Sequence, residues 1–217
     1  MKKNIIELIW VGLTATTLAA GKVESLNPQR AAEGGQVFRS SSTNRIVLVS
    51  VGVGEAASIG SYSIRVMDTD GIGGPARLKA GVLLPRDGGI VKVWRGNLRG
   101  FGLDEVAVWL QSAGSGAYGS LKLFIIGATN LVLVALPDPS AGLTGYMGHD
   151  GFDIDAKGIH WVCPLYGKHL ELNIATNLGS VSIKYPTVRI SGDRNAEPHG
   201  GQMRRRYDAT ANQWIRD

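Results

Sequence analysis

The stretch Trp109-Leu-Gln-Ser112-Ala-Gly-Ser115-Gly-Ala-Tyr118-Gly-Ser120 gathers the residues of this chain best suited to contact another molecule. Gly114, Gly116 and Gly119 allow positive φ and close approach to another surface. Ser112, Ser115 and Ser120 supply small hydroxyls, and Tyr118 adds a flat ring with a polar tip. No His, Cys, Asp or Glu falls within the loop. Its chemistry is that of a plug, not of a catalytic centre.

The other polar constellations read as structural. Gly148-His149-Asp150-Gly151 invites a metal or acid–base role. A zinc site needs three nearby ligands, however, and His149, His160, His169 and His199 show no recognisable spacing. His149 and Asp150 are expected to satisfy backbone groups in a glycine-rich turn. Asn97 to Glu105 has the outline of a calcium loop, but Arg99 and Phe101 occupy positions that need oxygen donors, so a tight turn is expected. The carboxylate pairs Asp68/Asp70 and Asp153/Asp155 are open to glycosidic chemistry, yet both read as turn positions. No partner arrangement for a nucleophilic serine or cysteine is visible, although triads assemble in space and not in sequence. Neither a cofactor nor a metal is implied, and an enzyme is not expected. Arg204-Arg-Arg206 would put Arg204 and Arg206 on one strand face. With no aromatics beside them they read as a charged, solvated edge strand and not as a nucleic-acid site.

With 217 residues, 44% hydrophobic and 19% charged, the chain is long enough for one domain with a sizeable core and too apolar to be disordered. Lys2 and Lys3, an apolar run from Ile5 to Leu18 and the small residues Ala19, Ala20 and Gly21 form a secretory signal pattern over residues 1–20. Glu7 interrupts the run, and an uncleaved anchor or an N-terminal helix are the alternatives. Export to the periplasm or beyond is the expectation, with no integral membrane segment after signal removal. Removal of residues 1–20 takes two lysines and one glutamate from the net charge of +5, and the mild positive balance that remains suits anionic envelope surfaces. Cys163 is the only cysteine, so no intramolecular disulfide is available and a buried thiol is expected; an intermolecular disulfide is the alternative.

The elements that must position the loop are short strands. Residues 21–44 read as a polar, irregular arm, followed by a first strand at Arg45 to Val51. Ser61 to Met67 alternates Tyr62, Ile64 and Val66 against Ser61, Ser63 and Arg65, the period of a half-buried strand. Strands follow over Lys79–Leu84, Ile90–Trp94, Val106–Leu110, Leu121–Ile126 and Leu131–Leu136. Phe152–Ile154 and Ile159–Cys163 flank a turn, Leu170–Ala175 and Ser180–Lys184 suggest a further hairpin, and Met203–Tyr207 is a last strand, with Trp214 docking the C-terminus. Turn signals at intervals of roughly 8–12 residues predict an all-β, antiparallel β-sandwich of about eight or more short strands. The division expected is a signal peptide (1–20), an arm with the first strand (21–58) and one β domain (59–217).

Several segments in order resemble the periplasmic inhibitors of invertebrate-type (I-type) lysozyme: Ser61-Tyr-Ser-Ile-Arg-Val, Gly81-Val-Leu-Leu-Pro-Arg-Asp-Gly88, Asp104-Glu-Val-Ala-Val-Trp109, Ser112-Ala-Gly-Ser-Gly-Ala-Tyr-Gly119 and Gly145-Tyr-Met-Gly-His-Asp150. Gly192 to Gly201, followed by Arg206-Tyr207, fits more loosely. The loop is also similar to that of inhibitors of chicken-type (C-type) lysozyme, but Ala117 stands where those carry a lysine. The resemblance implies an exported, often dimeric β-sandwich that protects peptidoglycan against host lysozyme. It maps the inhibitory serine and tyrosine onto Ser115 and Tyr118, within a binding loop of Ser112, Gly114, Ser115, Gly116, Tyr118 and Gly119, and leaves Tyr146, His149 and Asp150 as supporting residues. Residues 167–183 stand outside it as an insertion. The alternatives are an inhibitor of C-type lysozyme, or an envelope module that binds peptidoglycan or protein without inhibiting.

Overall fold

The structure is a computed structural model that describes residues 23–30, 36–42, 44–70, 74–143, 145–165, 169–176, 179–186 and 202–216; the signal pattern and the Gly192–Gly201 loop lie outside the described residues. The described chain is all β. In order, the strands are β1 (Glu24–Leu26), β2 (Pro28–Arg30), β3 (Gln36–Ser42), β4 (Arg45–Val51), β5 (Ile59–Thr69), β6 (Ala76–Asp87), β7 (Gly89–Gly96), β8 (Glu105–Gln111), β9 (Gly119–Ile126) and β10 (Leu131–Val134). They continue with β11 (Gly151–Asp155), β12 (Gly158–Pro164), β13 (His169–Thr176), β14 (Gly179–Pro186), β15 (Gln202–Asp208) and β16 (Gln213–Arg216). All named pairs are antiparallel. Among the described residues no helix is long and apolar enough to cross a membrane.

The strands build three stacked layers. A central sheet has the order β1-β7-β8-β9-β10, one outer sheet β2-β3-β4-β5-β6 and the other β11-β12-β15-β16, while β13 and β14 form a separate hairpin. Val106, Val108 and Leu110 of β8 pack with Phe38, Val47, Val49, Tyr62, Ile64 and Val66 of the first outer sheet. Ala107 and Trp109, on the opposite face of the same strand, pack with Phe152, Ile154, Trp161 and Tyr207 of the second. A strand covered on both faces has no solvated side to mark with polar residues, and this explains the unbroken apolar run Val106 to Leu110. The antiparallel sandwich read from the sequence is therefore present with a third sheet added.

Three elements differ from the sequence reading. The arm before Arg45 is not irregular where it is described: it forms β1, β2 and β3, with β1 paired to β7 and β3 to β4. Leu26, Phe38 and Ser40 are buried there. The few apolar residues of the arm were a weak strand signal, but backbone pairing to existing edges and a polar bridge hold it. Ser40 Oγ donates to Glu24 at 2.6 Å and accepts from Arg95 Nη1 at 3.1 Å, and Arg95 in turn grips Asp104 at 2.9 and 3.1 Å. Second, β15 is not an edge, because β12 and β16 flank it, and β16 adds a strand beyond the expected last one. Arg205 is held there, donating to the Pro139 carbonyl at 2.7 Å. Third, Asp68, Asp153 and Asp155 lie within strands, where Asp68 meets Arg45 and Lys79, Asp153 meets Lys92 and Asp155 meets His160.

The expected hairpin in residues 170–184 is found as β13 against β14, with residues 177 and 178 of its turn outside the described residues. Asn97 to Glu105 is a turn: Arg99 binds buried Glu105 at 2.6 Å and Asn97 Oδ1 accepts the Gly102 N–H at 2.8 Å. Truncating Phe38 to Ala tests the arm's part in the core. A fully buried Phe side chain should cost about 3–5 kcal/mol in urea unfolding, whereas a loose arm would leave the transition unchanged.

Candidate functional site

The loop between β8 and β9 leaves the central sheet at Gln111 and returns at Gly119, so both stems belong to the doubly buried layer. Within it, the Ser112 N–H donates to the Tyr118 carbonyl at 2.8 Å and the Ala117 N–H to the Gly114 carbonyl at 2.9 Å. The Gly114 N–H also reaches Ser112 Oγ at 3.3 Å. Ser115 and Tyr118 are exposed, the latter with 51% of its surface open despite its size.

The chain segment before β11 folds against this loop. His149 N–H donates to the Gly116 carbonyl at 2.6 Å. Gly148, with φ of 86°, lies so close that a Cβ there would strike that same carbonyl, so glycine is required for the two segments to meet. The Tyr118 ring stands edge-on to Tyr146, with centroids 5.7 Å apart, and Tyr146 packs on Trp161 at 6.0 Å.

Beneath them lies Asp150, only 3% exposed. Its Oδ2 accepts the Gly119 N–H and the Tyr146 hydroxyl, each at 2.7 Å, and its Oδ1 accepts Trp161 Nε1 at 2.9 Å. A Cβ on Gly119 would come within 2.8 Å of the Asp150 Cβ, so glycine allows the carboxylate to sit over the start of β9. Burial first, then the Asp150 hydrogen bond and charge, hold the Tyr146 phenol far above its ordinary range. Burial, with Asp150 second, pushes the Cys163 thiol up to about 11. Cys163 is free and buried, as its apolar surroundings predict.

The structure thus brings together Gly116, Tyr118, Gly119, Tyr146, His149 and Asp150, with Gly114 and Ser115 on the exposed side of the loop and Ser112 half-buried at its base. Asp150 accepts a backbone N–H not from its own turn, as expected, but from Gly119 at the start of β9, and it also binds two side chains; the His149 side chain bonds no backbone group among the described residues. Trp161 was not legible as part of the site. Its alternation within β12 marks a buried ring, and nothing local shows where the indole N–H points. Among the described residues no cluster of three His, Cys, Asp or Glu side chains could hold a metal ion. The exposed groups of the tip are hydroxyls, an aromatic ring, backbone amides and one imidazole, a set that can bind but has no paired acid and base.

The family described as periplasmic lysozyme inhibitor of I-type lysozyme matches residues 40–138. Among solved structures, the periplasmic lysozyme inhibitor of I-type lysozyme from Aeromonas hydrophila is 32% identical, with 45% of this chain and 83% of that chain covered and a TM-score of 0.39. The Aeromonas hydrophila inhibitor in complex with Meretrix lusoria lysozyme is 30% identical, with 52% and 80% covered and a TM-score of 0.37. No curated protein matches the chain.

Two outcomes follow from the burial of Asp150 and of Cys163. Asp150→Asn turns an acceptor of three bonds into a group whose NH2 faces donors, and should lower unfolding stability by at least about 2 kcal/mol, more than Tyr146→Phe, which removes a single donor. Cys163 should resist thiol reagents in the native state at pH 8 and react once denatured. Because its folded pKa lies above the free value of 9.0, its contribution to stability is complete below pH 9 and fades as pH rises toward about 11.

Proposed function

Because the chain belongs to the family of periplasmic inhibitors of I-type lysozyme, we propose that it inhibits such a lysozyme by seating the loop of residues 112–119 in the enzyme's cleft. In this reading residues 1–20 direct export, the protein works in the periplasm, and it carries out no catalysis of its own. The observation that carries the proposal is a charge-free, exposed hydroxyl and aromatic loop whose base is pinned to a buried carboxylate.

The chemistry suits the target. Lysozymes cleave between two carboxyl groups, one of them protonated as the acid. The Ser115 hydroxyl can donate to a carboxylate and accept from a carboxylic acid, bridging such a pair without bringing a charge of its own. An aspartate there would meet like charge, and a lysine would carry a larger desolvation cost. Tyr118 can occupy a sugar subsite, its ring taking the place of a pyranose face and its hydroxyl that of a sugar hydroxyl. A loop already held in shape loses little entropy on docking, so more of the contact energy appears as affinity. The loop contains no glycosidic bond, so the enzyme cannot consume it.

The test is lysis of bacterial cell walls by I-type, C-type and goose-type lysozymes with and without the mature protein. Selective protection against the I-type enzyme is expected. Ser115→Ala and Tyr118→Ala should each weaken inhibition by about 1–3 kcal/mol, with the melting temperature kept. Folded variants that inhibit as well as the parent would rule out the loop as the plug. Absent inhibition with retention on purified sacculi would favour an envelope-binding module instead.

A further inference from the structure

The tip carries a second exposed group, supplied by the other arm. His149 is exposed, while Gly148 and Asp150 on either side are buried. Its backbone sits in the left-handed region, φ 59°, which disfavours any side chain. Glycine occurs at 145, 148 and 151 of this turn, yet position 149 is histidine. The imidazole is exposed and makes no hydrogen bond to any described residue, so no polar bond within the fold offsets the strain. The backbone N–H of His149 is fixed to the Gly116 carbonyl, one residue from Ser115 and two from Tyr118. Ala117, next to that carbonyl, is itself a non-glycine residue with φ of 42°. Of the three such residues described, two therefore meet at this single bond. Strained backbone persists where surrounding structure over-determines it and gathers at functional surfaces.

We infer that His149 is a direct contact of the inhibitory surface, aimed at a carboxyl group lining the lysozyme cleft; this rests on the occlusion proposed for the loop. The loop can bridge carboxyl groups only through neutral hydroxyls, and it has no cation. An imidazole adds an N–H donor and, when protonated, a positive charge. A charge-assisted bond to a carboxylate is roughly twice as strong as a neutral one. The negative group nearest in sequence, Asp150, is turned inward onto three donors and does not compete for the imidazole. Ser115 and Tyr118 from one arm and His149 from the other thus form a two-armed surface fitted to an acidic cleft.

Parent protein, His149→Gly, His149→Asn and Tyr118→Ala are compared in thermal melts and in inhibition of an I-type lysozyme. Glycine relieves the left-handed strain while removing the imidazole, so His149→Gly should melt at or above the parent temperature. Its inhibition constant should nevertheless rise about tenfold, the loss of one strong interfacial bond. His149→Asn, which tolerates positive φ and keeps a neutral donor, should fall between the two. If His149→Gly inhibits like the parent while Tyr118→Ala does not, the assignment of His149 is wrong and the loop reading stands. If His149→Gly melts lower and inhibits less in proportion, its role is structural and the inference falls. If the parent itself does not inhibit, the functional reading fails and this inference goes with it.

Discussion

Asp150 places a carboxylate where water cannot reach it, and the geometry of the tip follows from how that charge is satisfied. Removing a carboxylate from water costs several kcal/mol unless donors replace the lost hydration. Here the donors come from three separate segments: the Gly119 N–H at the start of β9, the Tyr146 hydroxyl in the connection before β11, and the Trp161 indole in β12. Displacing any one of them leaves a buried charge under-bonded, so the loop, the connection and the outer sheet hold a common position. The phenol of Tyr146 and the thiol of Cys163 are raised first by their own burial and then by the Asp150 charge beside them.

The layer arrangement supplies the rigid base. The loop is rooted in β8 and β9, the strands covered by an outer sheet on each side. Segments with dense apolar contacts on both faces open least readily, so the stems of the loop are firmly held and only the few residues between Ser112 and Tyr118 stand outside the packed layers. Even these are crossed by two internal backbone bonds and one bond to His149. In the proposed occlusion, a surface built this way would meet its partner already shaped and lose little entropy on docking.

The N-terminal arm shows a second use of polar groups inside the stack. Glu24, Ser40, Arg95 and Asp104 form a continuous bridge from the arm to the central sheet, and Arg45 extends it to Asp68. Such a chain of bonds specifies one docking position, because each member loses a partner if the arm slides by a residue. Its position beside fully buried Phe38 explains how a polar stretch becomes part of a packed fold.

Sequence alone determined the local features. Alternation of Tyr62, Ile64 and Val66 against polar neighbours marks a strand, because side chains of a strand point to opposite faces in turn. Residue types alone also set the groups the loop offers: small hydroxyls, one ring and no charged side chain. The arm, the internal place of β15 and the third sheet were not legible, because edge pairing depends on which backbones lie free nearby and not on the strand's own pattern. Only the tertiary structure decided what Asp150 does. Its partners lie 31, 4 and 11 positions away, and no local pattern states where a carboxylate will find its donors once water is excluded.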